Sequence, residues 1–384
     1  MSRAKEHKLF EPTTLPMDLD FAAEIGRLRV LEDDFLKAED LQRLASSSTS
    51  FHERADILEK AGYTGEGSLE ERVLRHRDQE DLLLREFSRD SDLDLFLLLD
   101  LDYHNLKAII RYLQLELRNL QEKTEGLQII EKEAEQAQGD VPKTLDEMLR
   151  KTAPTPIPHL FDTVIRIMRG ISETEDNIPY NMRPQFYKHI KSVVAKASDG
   201  SDLSAADWLA DQLYFEELKQ IGEEKSFRKM KDFTDAYRIM LAEHANFEIF
   251  LRMKRAGKSR EFFKRAFVPH GTTQLEAFLE AYDDVEKSRA LFADSPISEG
   301  FPTFPDYNSS EDVAVFGKNK DKLYSKVIAR GKMENQHAWA IAAFWLAKKL
   351  EQKNIRIILQ AVSRNMDTEE ILAMLRPTYK EASL

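Results

Sequence analysis

The residue types nearest to chemistry are Asp100, Asp102 and His104. Read as helix, Asp100 and His104 stand four positions apart on one face, which is how a carboxylate–imidazole metal site begins. Such a site needs further ligands converging from another helix. His-x-x-x-His is absent and the nine histidines are scattered along the chain. The structural alternative is a Tyr103-His104-Asn105 cluster that packs helices. Gly257-Lys258-Ser259 matches the end of a phosphate-binding loop. The full motif requires Gly five residues before Gly257, where Arg252 stands, and a preceding strand, where the pattern is helical. A positively charged helix end, complementing the helix dipole, accounts for these residues. Neither Gly-x-Ser-x-Gly nor Gly-x-Gly-x-x-Gly occurs, so there is no nucleophile elbow or dinucleotide loop. The acidic pairs Glu216-Glu217 and Glu223-Glu224 read as solvated helix faces, and Trp208, Trp339 and Trp345 as core. A basic run, Arg252 to Lys258 with Arg260, Lys264 and Arg265, is interleaved with Phe262, Phe263 and Phe267. In nucleic-acid binders that pattern marks a contact surface; here it reads as a helix end with packed aromatics, or a patch for an acidic protein. No nucleophile, base and oxyanion donors assemble, so the chain reads as non-catalytic, without cofactor or metal.

The elements that must position these residues are helices. Phe21, Ile25, Leu28, Leu31 and Phe35 recur at spacings of three and four, predicting a helix over Asp18 to Ala45. After a polar break at Ser46–Ser50, Phe51 to Lys60 is helical and Gly62 serves as its C-cap. Leu69 to Leu120 is helical with a pause at Ser88–Asp92. Gly139 to Pro158 carries Pro142, Pro154, Pro156 and Pro158 and reads as an irregular connection. Helices follow at Phe161 to Arg169 and Gln185 to Ala197, then a turn at Ser198–Ser204. Ala205 to Ala256 reads as two helices parted near Gly222. A break at Ala256–Lys258 leads to a short helix, a turn at Val268 to Thr273, and a helix over Gln274 to Phe292. Ser295 to Ser310, with three prolines, is a second irregular segment. Helix resumes from Glu311 to Val362 with breaks near Gly317 and Gly331. A last helix is capped by Asp367 or Thr368 with Glu369 and Glu370 in its first turn.

Composition agrees. Gly and Pro number 14 and 13 in 384 residues, well below the usual combined share of about 12%, which favours long helices with few connections. The 384 residues exceed one ordinary core, so two or three domains are expected. The net charge of −12 opposes nonspecific binding to nucleic acid or anionic lipid. The absence of cysteine removes disulfides and thiolate chemistry and suits a reducing compartment. Met1 to Phe21 lacks the apolar core of a signal peptide. The longest run free of Asp, Glu, Lys and Arg, Asn335 to Ala347, is short of the roughly 20 apolar residues that span a bilayer. Membrane association is therefore expected only through protein partners.

One pattern recurs: an acid, two variable residues, Asn, an apolar residue, a charged residue and three apolar residues. It occurs at Asp102 to Ile110 (with Tyr103, His104 and Asn105), at Glu243 to Leu251 (with Asn246) and at Glu351 to Leu359 (with Asn354 and Arg356). The Asn residues lie 141 and then 108 positions apart, which is domain spacing rather than solenoid spacing. Asp211-Gln212-Leu213-Tyr214 lies 35 residues before Asn246, and Asp321-Lys322-Leu323-Tyr324 lies 33 residues before Asn354. Three related helical units are therefore expected: 15–122, 123–264 (beginning with the Pro-containing connection) and 265–384. Acid and Asn share a helix face, reading either as a structural pair that fixes helix register or as a site for a partner's loop or an ion.

These segments carry a resemblance. Leu99-Asp100-Leu101-Asp102-Tyr103-His104-Asn105-Leu106-Lys107 resembles the "YDYHNLK" element of the C subunits of archaeal and bacterial V/A-type ATPases, relatives of the d subunits of eukaryotic V-ATPases. Asp211 to Leu218 is similar to that family's "LDKxYFEEL" segment, Lys353 to Leu359 to its "xxNIRIIL" segment, and Arg27 to Glu32 to its opening "ARIRALE". The four stand in the family's order, covering about residues 20 to 376. The chain departs at Ala245-Asn246-Phe247-Glu248-Ile249, which lacks the Asn-Ile-Arg form, and in the Ser295 to Ser310 insert.

The resemblance implies an all-α funnel of three similar helical bundles with approximate three-fold symmetry. It implies a peripheral protein on the cytoplasmic face of the membrane, set between the D and F shaft subunits and the proteolipid rotor ring. Its role would be to transmit torque for ATP-linked H+ or Na+ transport, with no active site. Asp102, Tyr103, His104, Asn105, Glu243, Asn246, Glu351, Asn354 and Arg356 would then be architectural. One rival is a generic helical scaffold or adaptor without enzymatic activity. The other is a helical enzyme with a buried carboxylate site around Asp102 and His104, which requires further acids to converge there.

Overall fold

The structure, a computed structural model, describes residues 21–88, 92–119, 160–171, 178–179, 182–199, 204–298, 310–333 and 337–382. All regular structure among these residues is helical, with no strand; the chain is all-α, as the periodicity predicts. The connection expected at Gly139 to Pro158 lies outside the described residues, as do parts of the turn at Ser198–Ser204 and of the segment Ser295 to Ser310.

In chain order the helices are α1 (Ala22–Leu31), α2 (Ala38–Ala45), α3 (Phe51–Lys60), α4 (Leu69–Ser88), α5 (Leu93–Asn119), α6 (Leu160–Met168), α7 (Pro184–Ser198) and α8 (Ser204–Gly222). There follow α9 (Lys231–Arg255), α10 (Arg260–Ala266), α11 (Leu275–Ala281), α12 (Val285–Ala293), α13 (Ser310–Lys332), α14 (Trp339–Ser363) and α15 (Thr368–Met374). They form two compact units. Unit 1 takes the described residues within Met1–Phe96, Ile221–Gly257 and Gly271–Leu384; unit 2 takes those within Leu97–Gln220 and Lys258–His270.

Unit 1 is organised on α14, which packs against α1, α2, α4, α13 and α15. Its sequence is apolar nearly all round at Trp339 to Ala347, and a helix of that kind is buried on every side. Trp339, Ile341, Phe344 and Trp345 are buried accordingly. Gly331, near the end of α13, permits the close approach of α14: a Cβ there would lie 2.1 Å from the Cβ of Ala343. A second apolar group joins α9 to α11 and α12, with Phe247 and Phe250 meeting Phe278 at ring separations of 4.8 and 5.5 Å.

Local signals set the ends of α3. Ser50 Oγ accepts from the Glu53 N–H at 3.3 Å while Glu53 accepts from the Ser50 N–H at 2.8 Å, a capping box. At the other end Gly62 takes φ +90° and the Tyr63 N–H reaches Leu58 O at 3.0 Å, a Schellman closure. That turn delivers Tyr63 into the core of unit 1, where it is fully buried.

Three expected boundaries differ. The single helix over Asp18 to Ala45 is broken: α1 ends at Leu31, Glu32–Asp34 is a 3-10 turn, and Phe35 is extended. Three consecutive acids at a helix C-terminus oppose its dipole, and the break lets adjacent Phe35 and Leu36 both turn inward. There Phe35 stacks on Tyr379 at 4.4 Å. The helix over Gln274 to Phe292 is two, because Asp284 accepts from the Glu286 and Lys287 N–H groups and starts a new N-terminus. Gly317 causes no break, and α13 runs through it.

Unit 2 gathers α6, α7, α10 and most of α5 and α8. Its apolar stripe, including Leu99, Tyr103, Leu106, Ile110 and Leu113 from α5 with Phe186, Ile190 and Val193 from α7, is buried. Lys107 pairs with Asp211 at 2.5 Å and Arg111 with Asp207 at 2.6 Å, bridging α5 and α8 along one edge.

Candidate functional site: three buried acids

The acid and Asn of each repeated pattern lie on α5, α9 and α14. The structure gives each acid its own set of partners.

Glu243 of α9 is buried within unit 1. Its Oε1 accepts from the N–H groups of Thr272 at 2.5 Å and Thr273 at 2.6 Å and from Thr272 Oγ1 at 2.9 Å; its Oε2 accepts from Thr273 Oγ1 at 2.8 Å. One carboxylate thus satisfies two consecutive backbone donors just ahead of α11. Gly271 packs closely beside it: a Cβ there would stand 2.8 Å from Glu243 Oε1. Asn246, one turn along, is also buried.

Glu351 of α14 ties three segments of unit 1 together. Its Oε2 accepts from the Leu36 N–H at 2.6 Å; its Oε1 accepts from Tyr63 Oη at 2.8 Å and Lys348 Nζ at 3.0 Å. Leu36 stands at the break between α1 and α2, so this acid caps the irregularity that the acidic run creates. The Lys348 ammonium lies 4.2 Å from the Phe35 ring centroid, a cation–π contact. Asn354 clamps a single residue: its Nδ2 donates to Arg376 O at 3.0 Å and its Oδ1 accepts from the Arg376 N–H at 2.8 Å. The Arg376 side chain and Lys353 then meet on Asp321 Oδ2, at 2.7 and 2.5 Å. Arg356 is exposed.

Asp102 of α5 belongs to a larger network inside unit 2. Arg183 bridges two carboxylates, donating from Nη1 to Asp102 at 2.8 Å and from Nε to Glu217 at 2.8 Å. Tyr103 donates to Glu217 Oε2 at 2.6 Å. Gln185 reaches His189 Nε2 at 2.7 Å, and His189 Nδ1 meets Tyr103 Oη. Assigned from this network, the His189 proton sits on Nδ1, giving a relay from Gln185 through His189 and Tyr103 to Glu217. The two carboxyls respond oppositely. Burial pushes Asp102 up to about 6 against the pull of Arg183. Burial also works against Glu217, but His189, Arg183 and Tyr103 outweigh it and hold Glu217 at about 2. Burial, then the Glu217 charge, drives the Tyr103 phenol well above its ordinary range, so it remains a donor.

Three sequence expectations are corrected by these positions. Glu217 is buried rather than solvated. Its place on the stripe Ala210, Leu213, Tyr214, Leu218 and Ile221 was the available signal. His104 is exposed while Tyr103 and Asn105 are buried, so the expected three-residue packing cluster loses its middle member. Trp208 is half-buried; Arg265 covers its ring at 5.0 Å and that of Phe262 at 5.2 Å. Sequence reasoning missed Arg183 and His189, since nothing local marks their partners 34 to 86 positions away. Gly257 has φ +62° and follows α9, and Ser259 is the N-cap position of α10, so the phosphate-loop fragment is a helix-to-helix turn.

Oxygens committed in this way are ties between elements. Among the described residues no helix is long and apolar enough to cross a membrane. No curated protein matches the chain. A family model described as ATP synthase (C/AC39) subunit matches residues 25–374 and takes in all three acid–Asn segments. Over nearly its whole length, therefore, this all-helical chain belongs to the ATP synthase (C/AC39) subunit family.

Proposed function

We propose that this protein is a non-catalytic central-stalk component of a V/A-type rotary ATPase. It is the socket that couples the D and F shaft subunits to the proteolipid rotor ring for ATP-linked H+ or Na+ transport. The observation that carries this reading is the family match over residues 25–374. The geometry supports a passive, load-transmitting role. The motif acids are spent on holding loops and helix ends, as rigid attachment requires, and buried charges held by several donors favour one fixed arrangement. In this reading the chain is three related helical bundles, 15–122, 123–264 and 265–384, arranged as a funnel on the cytoplasmic face. Protein contacts alone hold it to the membrane.

The test is binding of the intact chain to purified D/F shaft and, separately, to the isolated ring in detergent. Capture by both supports the socket; failure to bind either one overturns it. The same preparation should neither bind ATP tightly nor hydrolyse it, and micromolar affinity that depends on Lys258 would revive an enzymatic reading.

A further inference from the structure

Beside the Glu351 tie in unit 1 lies a pair of titratable groups that the tie does not use. His76 and Glu80 are one turn apart on α4, both side chains about nine-tenths buried, with His76 Nδ1 3.5 Å from Glu80 Oε1. The imidazole lies against the Tyr63 ring at 4.2 Å, and its Nε2 faces Gly62, where a Cβ would come within 3.1 Å. From α14, Lys348 and Glu351 face the pair, and Tyr63 stands between the two helices. On the α4 side, Asp81 adds negative charge but is held by Trp345 Nε1 at 2.9 Å, with Lys349 and Arg77 near it. The charges do not balance. Lys348 is the cation facing two buried carboxyls, and its ammonium is already bonded to Glu351.

We propose that His76 and Glu80 together hold one proton, kept on the carboxyl below neutral pH, and that its loss through and above neutrality loosens α4 from α14. A buried carboxyl without its own cation is more stable neutral, and a buried imidazole beside an ammonium is likewise more stable neutral. The electrostatics agree. Burial, eased by Lys348 and reinforced by Glu351 and Asp81, pushes Glu80 up to about 7; burial, with Lys348 adding to it, pulls His76 down to about 4. In the unfolded chain the ordinary values, 4.5 for Glu and 6.5 for His, place the single proton on the imidazole between them. Folding therefore moves the proton from nitrogen to oxygen without changing the number bound between about pH 4.5 and 6.5. Over that range the pair adds no pH dependence of stability, although each member alone would. Above it, Glu80 ionises, and two carboxylates share one lysine between α4 and α14.

The sign of each half is testable. A raised carboxyl lowers stability as pH climbs from about 4.5 to 7, and a depressed imidazole lowers it as pH falls from about 6.5 to 4. Denaturant unfolding of the full chain is compared for wild type, Glu80→Gln and His76→Gln across pH 4 to 8. Relative to wild type, Glu80→Gln should gain at least about tenfold in folding equilibrium constant between pH 4.5 and 8. His76→Gln should gain as pH falls through the same range. Amide exchange over residues 62–80 should accelerate above pH 7 beyond its intrinsic rise in wild type but not in Glu80→Gln. Difference curves that stay flat for both variants overturn the proposal. A measurement independent of the variants' folding is nitrogen NMR of the wild-type histidines, with His76 assigned by its loss in His76→Gln. A neutral His76 ring at pH 6 supports the proposal; a protonated ring at that pH contradicts it.

Discussion

Glu243 in unit 1 and Asp102 in unit 2 open the same sequence pattern, and the structure treats them differently. Glu243 meets four neutral donors, two of them consecutive backbone N–H groups. Asp102 meets the Arg183 guanidinium, which it shares with Glu217. The asparagines of the pattern differ too: Asn354, which follows Glu351, forms two bonds to Arg376, whereas neither end of the buried Asn105 amide bonds to another group among the described residues. The contrast teaches what the pattern encodes. Acid-x-x-Asn specifies a polar pair on a buried helix face; which segment that pair holds is decided by the tertiary context.

The largest effect should fall on Glu243. Glu243→Leu removes the acceptor shared by two backbone donors and two hydroxyls, an expected loss of about 2–4 kcal/mol. Glu243→Gln, which keeps one acceptor oxygen, should lose about 1–2 kcal/mol. Asp102→Asn retains an acceptor for Arg183 and removes a buried charge, so at pH 7 it should change stability by less than about 1 kcal/mol. Urea unfolding measures all three. Asp102→Asn as damaging as Glu243→Leu would erase the distinction between the two regions.

Within unit 2 the comparison sharpens with pH. Glu217 is held at about 2, so its stabilisation is present above the ordinary value of 4.5 and is lost as pH falls toward 2. Asp102 is raised to about 6, so its contribution declines as pH rises from 3.8 to 6. Glu217→Gln should therefore remove an acid-side loss and cost about 2 kcal/mol at pH 7, leaving Arg183 and Tyr103 with a weaker acceptor. Asp102→Asn should remove the opposite slope. Unfolding midpoints between pH 2 and 7 check both signs.

The smallest effect concerns the asparagines. Asn354→Ala should lose about 1–2 kcal/mol and raise amide exchange at Arg376, the residue it clamps. Asn105→Leu should lie within about 1 kcal/mol of wild type, since it breaks no bond among the described residues. A larger loss at Asn105 than at Asn354 would reverse that assignment.

Much of this was legible where the governing forces are local. The capping box at Ser50–Glu53, the left-handed turn at Gly62 and the Asp367 N-cap are short-range hydrogen bonds, and their residues announce them. The apolar run of α14 announces burial in the same way. The break after Leu31 was legible only in part: the acids Glu32 to Asp34 weaken the helix end locally, but Glu351, which holds Leu36, lies 315 positions away. The Asp102 network was legible only in part. Helix spacing placed Asp102, Tyr103 and Asn105 on buried or half-buried faces, but Arg183, His189 and Glu217 converge on them only once α5, α7 and α8 have packed.

In the proposed reading this protein transmits torque rather than performing chemistry. A test by cutting the chain at residue 265 would confound coupling with folding, because unit 1 draws its helices from both sides of that cut. The direct measurement uses the complete chain. ATP hydrolysis and ATP-driven ion uptake are followed together in vesicles carrying the ring, with a catalytic head and shaft prepared without this chain, before and after adding it back. The account predicts hydrolysis without uptake before addition, and uptake restored in proportion to the chain bound. Uptake already at full rate before addition, or bound chain that restores none, would contradict it.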